Sequence, residues 1–156
     1  GIFNGEKWFK EGGKFGVGTD SNIKIALFEE LRTLEYSQRL KNKKRIVLKP
    51  TNHFTIGRNL IESILGGGAL ASGRKTGKIK TGYWADILAL DLSSFHYSLL
   101  NNDEKLNYLI FSENKKIIDS VFSAGRWVVK GGNHIEKEKI SSKYMDTLEN
   151  ISKSFI

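Results

Sequence analysis

The sequence predicts an α/β fold, and three stretches predict it. Phe15-Gly16-Val17-Gly18-Thr19 alternates apolar residues with glycine and ends in the carboxylate of Asp20, as a buried parallel strand does where it hands over to a helix. Ile23, Leu27, Leu31 and Leu34 then recur at spacings of four, four and three, marking one face of an amphipathic helix that runs to about Asn42. Beyond Thr76 the period becomes strand-like, and Ile117 to Ser123 and Arg126 to Lys130 are joined by Ala124-Gly125, a two-residue loop suited to a hairpin. Helix, strand and helix followed by antiparallel β structure define the class.

Trp8 and Phe9 lie among charged residues between Gly5 and Gly12, and the Gly12-Gly13 pair closes the stretch as helices commonly close, so a short helix leads into the strand. Glycines at 16 and 18 suit a backbone that its neighbours approach closely. After Asp20, the residues Glu29, Glu30, Arg32, Glu35 and Arg39 fill the faces away from the apolar stripe. The Glu35–Arg39 pair at i, i+4 then contributes only about 0.2–0.5 kcal/mol. A loop with Pro50, Asn52 and His53 follows, and Thr55 caps a helix whose buried stripe is Ile56, Leu60, Ile61, Ile64 and Leu65. Gly66-Gly67-Gly68 is expected to break that helix, its small residues packing closely between two helices. Gly77-Lys78-Ile79 and Thr81-Gly82 read as turns, and Ala85 to Asp91 reads as a buried strand. Leu106, Leu109 and Ile110 mark a short helix behind Asp103, and Gly131-Gly132 ends the second hairpin strand. Ser141 caps a last helix whose stripe, Tyr144, Leu148, Ile151 and Phe155, requires a partner surface.

Composition narrows the classes of function. With 156 residues, 39% of them hydrophobic, the chain can bury one ordinary core. No apolar run approaches the roughly 18 residues of a membrane span and no signal-peptide pattern opens the chain, so a soluble protein of the cytoplasm is the expectation. The absence of cysteine excludes disulfides, thiolate catalysis and cysteine metal sites. A net charge of +8 favours anionic partners. The densest basic run, Lys41 to Arg45, follows a helix, where cations complement the dipole, and no aromatic residues interleave with it as single-strand binding requires. Nucleic acid is therefore not the expected partner. The first residue is Gly1 and the only methionine is Met145, from which a fragment of a longer chain is expected.

Few residues have the pattern of a site. Asp20 ends the strand, where the loops of α/β barrels converge on chemistry, but it is equally suited to cap the next helix, as are Ser21 and Asn22. His53 has no second histidine two or four residues away and reads as a surface residue rather than a metal ligand. The glycine triplet follows no strand and precedes no Gly-Lys-Ser/Thr, so it is not a phosphate loop. Asp86 and Asp91, five apart on one strand, point to opposite faces more than ~15 Å apart, which gives both structural roles. His96 and His134 stand isolated in loops.

The run from Gly77 to Asp91, containing Gly82-Tyr83-Trp84-Ala85-Asp86, followed by Val121 to Gly132, resembles the carboxy-terminal signature of the amidohydrolase superfamily. Gly18-Thr19-Asp20-Ser21 looks like that superfamily's eighth barrel strand, and with Asn22 and Glu29 to Leu40 it is similar to the formimidoylglutamate deiminases of histidine degradation. The resemblance implies the last strand and helices of a (β/α)₈ barrel in residues 1–73, the carboxy-terminal part of a small β-sandwich in 74–140 and a carboxy-terminal helix in 141–156. It also implies a hydrolase that uses zinc to convert N-formimino-L-glutamate to N-formyl-L-glutamate and ammonia. In that family the carboxylate ending strand eight is both a metal ligand and a catalytic proton carrier, and Asp20 is the matching residue. A deaminase of the same superfamily acting on a purine or triazine ring is the alternative within enzymes, and a basic fragment binding anions or a partner is the alternative outside them.

The family's His-x-His pair, its two further histidines, its glutamate acid and its substrate-binding residues belong to earlier strands, which this chain lacks. A strand at 15–19 would also have both edges unpaired here. The upstream half of the barrel, or association of copies, is therefore expected to complete the structure around a small-molecule substrate.

Overall fold

Leu31, Leu48, Ile56, Leu60 and Ile110 close into one core, with Phe9, Phe15, Val17, Leu34, Ile61 and Ile64 packed around it. They do so in a computed structural model that describes residues 1–49, 55–112 and 117–155. The core belongs to the first of two compact units, Gly1–Trp84 with Leu92–Lys115; the second is Ala85–Asp91 with Lys116–Ile156. His53, Pro50 and Asn52 lie outside the described residues.

Among the described residues, five helices build the first unit: α1 (Gly5–Lys10), α2 (Leu27–Asn42), α3 (Ile56–Ser72), α4 (Phe95–Ser98) and α5 (Asn102–Phe111). Their ends follow local chemistry. Asn4 accepts from the Lys7 amide at the start of α1, and Thr55 accepts from the Arg58 amide at 3.3 Å to open α3. Asn101 and Glu104 form a reciprocal capping box, which starts α5 one residue before Asp103. Lys43 ends α2 and Gly73 ends α3 in the left-handed conformation, at φ 51° and 65°. His96 lies within α4 rather than in a loop and stacks on Tyr108.

The apolar stripe of α2 is shorter than its spacing suggested. The helix starts at Leu27, so Ile23 falls outside it and is fully exposed, while Leu31 is buried. The buried face continues instead through Glu35 and Gln38, both at 0% exposure. The assignment of Glu35 to a solvated face is thus corrected. Its carboxylate accepts from Arg39 Nε at 2.8 Å and from the backbone amides of Val47 and Leu48 at 3.2 and 2.9 Å. A buried charge is tolerated only when its hydrogen-bonding capacity is filled, and here three donors fill it. Gln38 does the same for the amino-terminal stretch, accepting from the Gly5 amide and donating to the Phe3 carbonyl, both at 2.9 Å.

Helix α3 runs unbroken through Gly66-Gly67-Gly68, contrary to expectation. Three glycines cost a helix interior about 1 kcal/mol each relative to alanine. The close approach of the 15–19 segment accounts for the middle one: a Cβ on Gly67 would fall 1.8 Å from the Phe15 carbonyl oxygen, whereas one on Gly66 or Gly68 would meet open space. The small residues therefore accommodate an incoming backbone rather than a second helix. Gly57 serves a similar contact between α3 and α5, where its amide donates to Asn107 Oδ1 at 2.8 Å.

The 15–19 segment itself joins no sheet among the described residues. It keeps the period-two alternation of a strand, with Phe15, Val17 and Thr19 half-buried and Gly16, Gly18 and Asp20 exposed. The sequence pattern survives without a ladder because strand pairing needs a second segment and alternation does not.

In the second unit, β1 (Ile87–Leu90), β2 (Ile118–Ser123), β3 (Arg126–Lys130) and β4 (Asn133–His134) form an antiparallel sheet in that order. Ala124 and Gly125 have φ of 51° and 75°, the paired left-handed geometry of a tight hairpin, as expected. Gly131 and Gly132 repeat it at 53° and 72°, so they turn the chain into β4, which holds His134, rather than merely ending β3. Asp86 has the structural role assigned to it: its Oδ1 accepts from the Ala124 amide at 2.8 Å. β1 is more exposed than a buried strand, with Ile87 and Leu88 at 39% and 43%, and it shares this with Ile118 of β2 and Trp127 of β3 at 40% and 41%. The last helix, α6 (Lys137–Ser154), starts four residues before Ser141, and Tyr144, Leu148, Ile151 and Phe155 are all exposed.

Two substitutions test this account of the first unit. Glu35→Ala strands three donors, and a loss of about 3 kcal/mol in unfolding free energy is expected. Gly67→Ala, which would stabilise an ordinary exposed helix, is expected to destabilise by about 1–3 kcal/mol because the methyl meets backbone. Chemical denaturation of each variant against the parent measures both; an unchanged Gly67→Ala midpoint would mean that α3 and the 15–19 segment do not touch.

Candidate active site

Asp20 ends the alternating segment, and the two readings left open for it separate in the structure. It is no helix cap: α2 begins at Leu27, its cap position is Ala26, and no side chain caps that end. Asp20 instead sits exposed at φ 45°, in a turn closed by the Asn22 amide donating to the Thr19 carbonyl at 2.9 Å. Left-handed backbone is uncommon outside glycine but is tolerated best by Asp and Asn, and it costs on the order of 1 kcal/mol. Among the described residues no hydrogen bond or ion pair engages the Asp20 carboxylate, which leaves its oxygens available.

The residues after Asp20 are tied down by polar contacts that the sequence pattern did not reveal. Asn22 Nδ2 donates to Glu30 Oε1 at 2.9 Å, and Lys24 Nζ pairs with the Glu29 carboxylate. The signal was present as two carboxylates in the first turn of α2, but only the fold of the intervening loop shows which partners they take. An open groove runs beside the same segment, bordered by Phe15, Val17, Glu30, Thr33 and Leu34. A larger cleft lies between α3 and residues 73–78 and holds none of the residues expected in chemistry.

The donor set tests whether these residues can hold a metal. A catalytic zinc ion takes three or more protein ligands, and the described residues contain no group of three His, Cys, Asp or Glu side chains that could surround one. Asp20 by itself does not make a zinc site. Nor does the sheet of the second unit supply one: His134 Nδ1 accepts from the Glu136 amide at 3.1 Å. No helix among the described residues is long and apolar enough to cross a membrane.

The chain belongs to the amidohydrolase family, whose sequence model matches residues 1–128. It is 36% identical over 148 residues to the formimidoylglutamate deiminase of Pseudomonas aeruginosa, covering 95% of this chain and 33% of that protein. Its fold matches the crystal structure of an amidohydrolase from Brucella melitensis with a TM-score of 0.85 and 34% identity, over 96% of this chain and 33% of that one. The atrazine chlorohydrolase TrzN of Arthrobacter aurescens, crystallised with zinc, shares the fold at a TM-score of 0.72 and 19% identity, over 90% of this chain and 31% of that one. The chain thus spans about a third of the length of the proteins it matches.

These 156 residues alone are expected to retain no stoichiometric zinc after gel filtration in metal-containing buffer. Metal analysis of the eluted protein, with its mass confirmed by native mass spectrometry, checks this. One zinc ion per chain would mean that ligands other than Asp20 converge within this segment.

Proposed function

We propose that this chain is the carboxy-terminal part of an enzyme that hydrolyses N-formimino-L-glutamate to N-formyl-L-glutamate and ammonia, and that Asp20 is its catalytic residue within these 156 positions. The likeness to the Pseudomonas aeruginosa deiminase, spread over 95% of the chain, carries the reading. The exposed, unpaired carboxylate at the end of the alternating segment supports it.

On this reading residues 15–19 are the eighth strand of a (β/α)₈ barrel, in which active-site residues sit at the carboxyl ends of the strands. Residues 1–73 end that barrel, 74–140 belong to a small β-sandwich and 141–156 form the carboxy-terminal helix. Asp20 would be one ligand of a zinc ion whose remaining ligands would come from the rest of the full-length protein. Bound zinc lowers the pKa of its water to about 7. Asp20 has the chemistry of a proton carrier: it accepts a proton from the water that adds to the formimino carbon and delivers one to the nitrogen that leaves as ammonia.

In the full-length protein, Asp20→Asn removes the proton acceptor while keeping the side chain's size. Turnover of N-formimino-L-glutamate is expected to fall by about 10²–10⁴-fold, read as ammonia release. A substrate panel including purines and triazines decides the specificity; efficient turnover of a ring substrate with none of N-formimino-L-glutamate would overturn the proposal.

A further inference from the structure

Between Asp20 and α2, residues 21–25 form a segment that is exposed throughout. Ile23 and Ile25 are 102% and 85% exposed, so burial within this chain does little to fix its path. Three polar contacts fix it instead. The Asn22 amide closes the turn onto Thr19, the Asn22 side chain reaches Glu30 Oε1 at 2.9 Å, and Lys24 pairs with Glu29. Asn22 thus takes part in two of them, once through its backbone and once through its side chain.

We infer that Asn22 is a positioning residue for Asp20: by bonding the first turn of α2 through Glu30, it holds the Thr19–Asn22 turn closed and keeps Asp20 at φ 45°. The role follows from connectivity. Asp20 is in a backbone conformation of higher energy than its extended alternatives, and such a conformation persists only where the surrounding structure over-determines it. The Thr19 carbonyl fixes one side of the turn, and the Asn22–Glu30 bond fixes the other to a helix whose next turn carries the buried Leu31. Glu30 and Leu31 are adjacent, so the exposed side-chain bond ends on a stretch of helix backbone that is fixed in the core. A catalytic carboxylate must be held close to its working geometry, and a displacement of about 1 Å can reduce turnover on the order of 100-fold. As a statement about catalysis, this inference rests on the deiminase reading; as a statement about the turn, it does not.

The test uses the full-length protein and exploits the polarity of the bond. Asn22→Asp sets two carboxylates against each other and removes the donor. Glu30→Gln alone keeps an acceptor and costs less. The double variant N22D with E30Q restores a bond with donor and acceptor exchanged. The expected result is that N22D moves Asp20 out of φ near 45° in the crystal structure and lowers kcat on the order of 10- to 100-fold with KM for N-formimino-L-glutamate unchanged. Both effects reverse in the double variant. If N22D proves insoluble, Glu30→Ala removes the acceptor without introducing repulsion, and the same displacement is expected. An Asp20 that keeps its place in N22D or E30A, with kcat within about twofold of the parent, would overturn the inference. If the parent enzyme shows no action on N-formimino-L-glutamate, the substrate reading fails, while the position of Asp20 in the variant structures still decides the role of Asn22.

Discussion

A carboxylate without solvent access organises the first unit. Glu35 accepts from Arg39 and from the consecutive amides of Val47 and Leu48, so the chain leaving α2 is drawn back across the helix that it has just left. That return places Leu48 in the core beside Leu31 and Leu60, and it presents the Leu48 carbonyl to Asn59 of α3 at 2.9 Å. Full burial of a leucine is worth about 1.5–3 kcal/mol, but the apolar term alone does not select which backbone groups face inward. The Glu35 carboxylate does, because its buried oxygens are expensive unless donors of fixed geometry meet them.

From α3 the same constraint passes to the candidate site. Ile56 and Leu60 hold the helix against the core, and Asn107, Asp103 and Arg58 fasten it to α5, with Arg58 Nη2 at 2.9 Å from Asp103. Its glycine triplet then receives the backbone of Phe15 and Gly16. Asp20 lies at the end of that segment, five residues on from Phe15. Close packing of backbone against backbone, which no side chain at Gly67 would permit, thus sets the line on which the carboxylate sits. The family relationship fits this division of labour. The segment carrying Asp20 is built to be held from one side by α3, and the chain represents about a third of the proteins it matches.

Elements governed by neighbours in sequence were legible in the sequence. The Ala124-Gly125 hairpin, the Thr55 cap and the short first helix depend on turn chemistry, on a single hydroxyl and on a glycine pair, and each formed within a residue or two of its expected place. The alternation of 15–19 and the carboxylate at its end were likewise visible, as was the family signature around Trp84 and Asp86.

Elements governed by distant partners were not. Glu35 looks like a solvated residue because α2 offers it Arg39 four positions on; only the return of Val47 and Leu48 turns it into a buried acceptor. Gly66 to Gly68 look like a helix break because glycine disfavours helix locally, and only the approach of Phe15 makes the missing side chain of Gly67 an advantage. Asp20 suits both a strand end and a helix cap in sequence, and the cap is excluded only by the start of α2 at Leu27 with Ala26 in the cap position. The sequence by itself determined the periodicities, the turns and the place of Asp20 at the end of an alternating segment. The tertiary structure decided which polar groups are buried, where helices start and in what kind of turn Asp20 sits, because those depend on groups that meet only when the chain has folded.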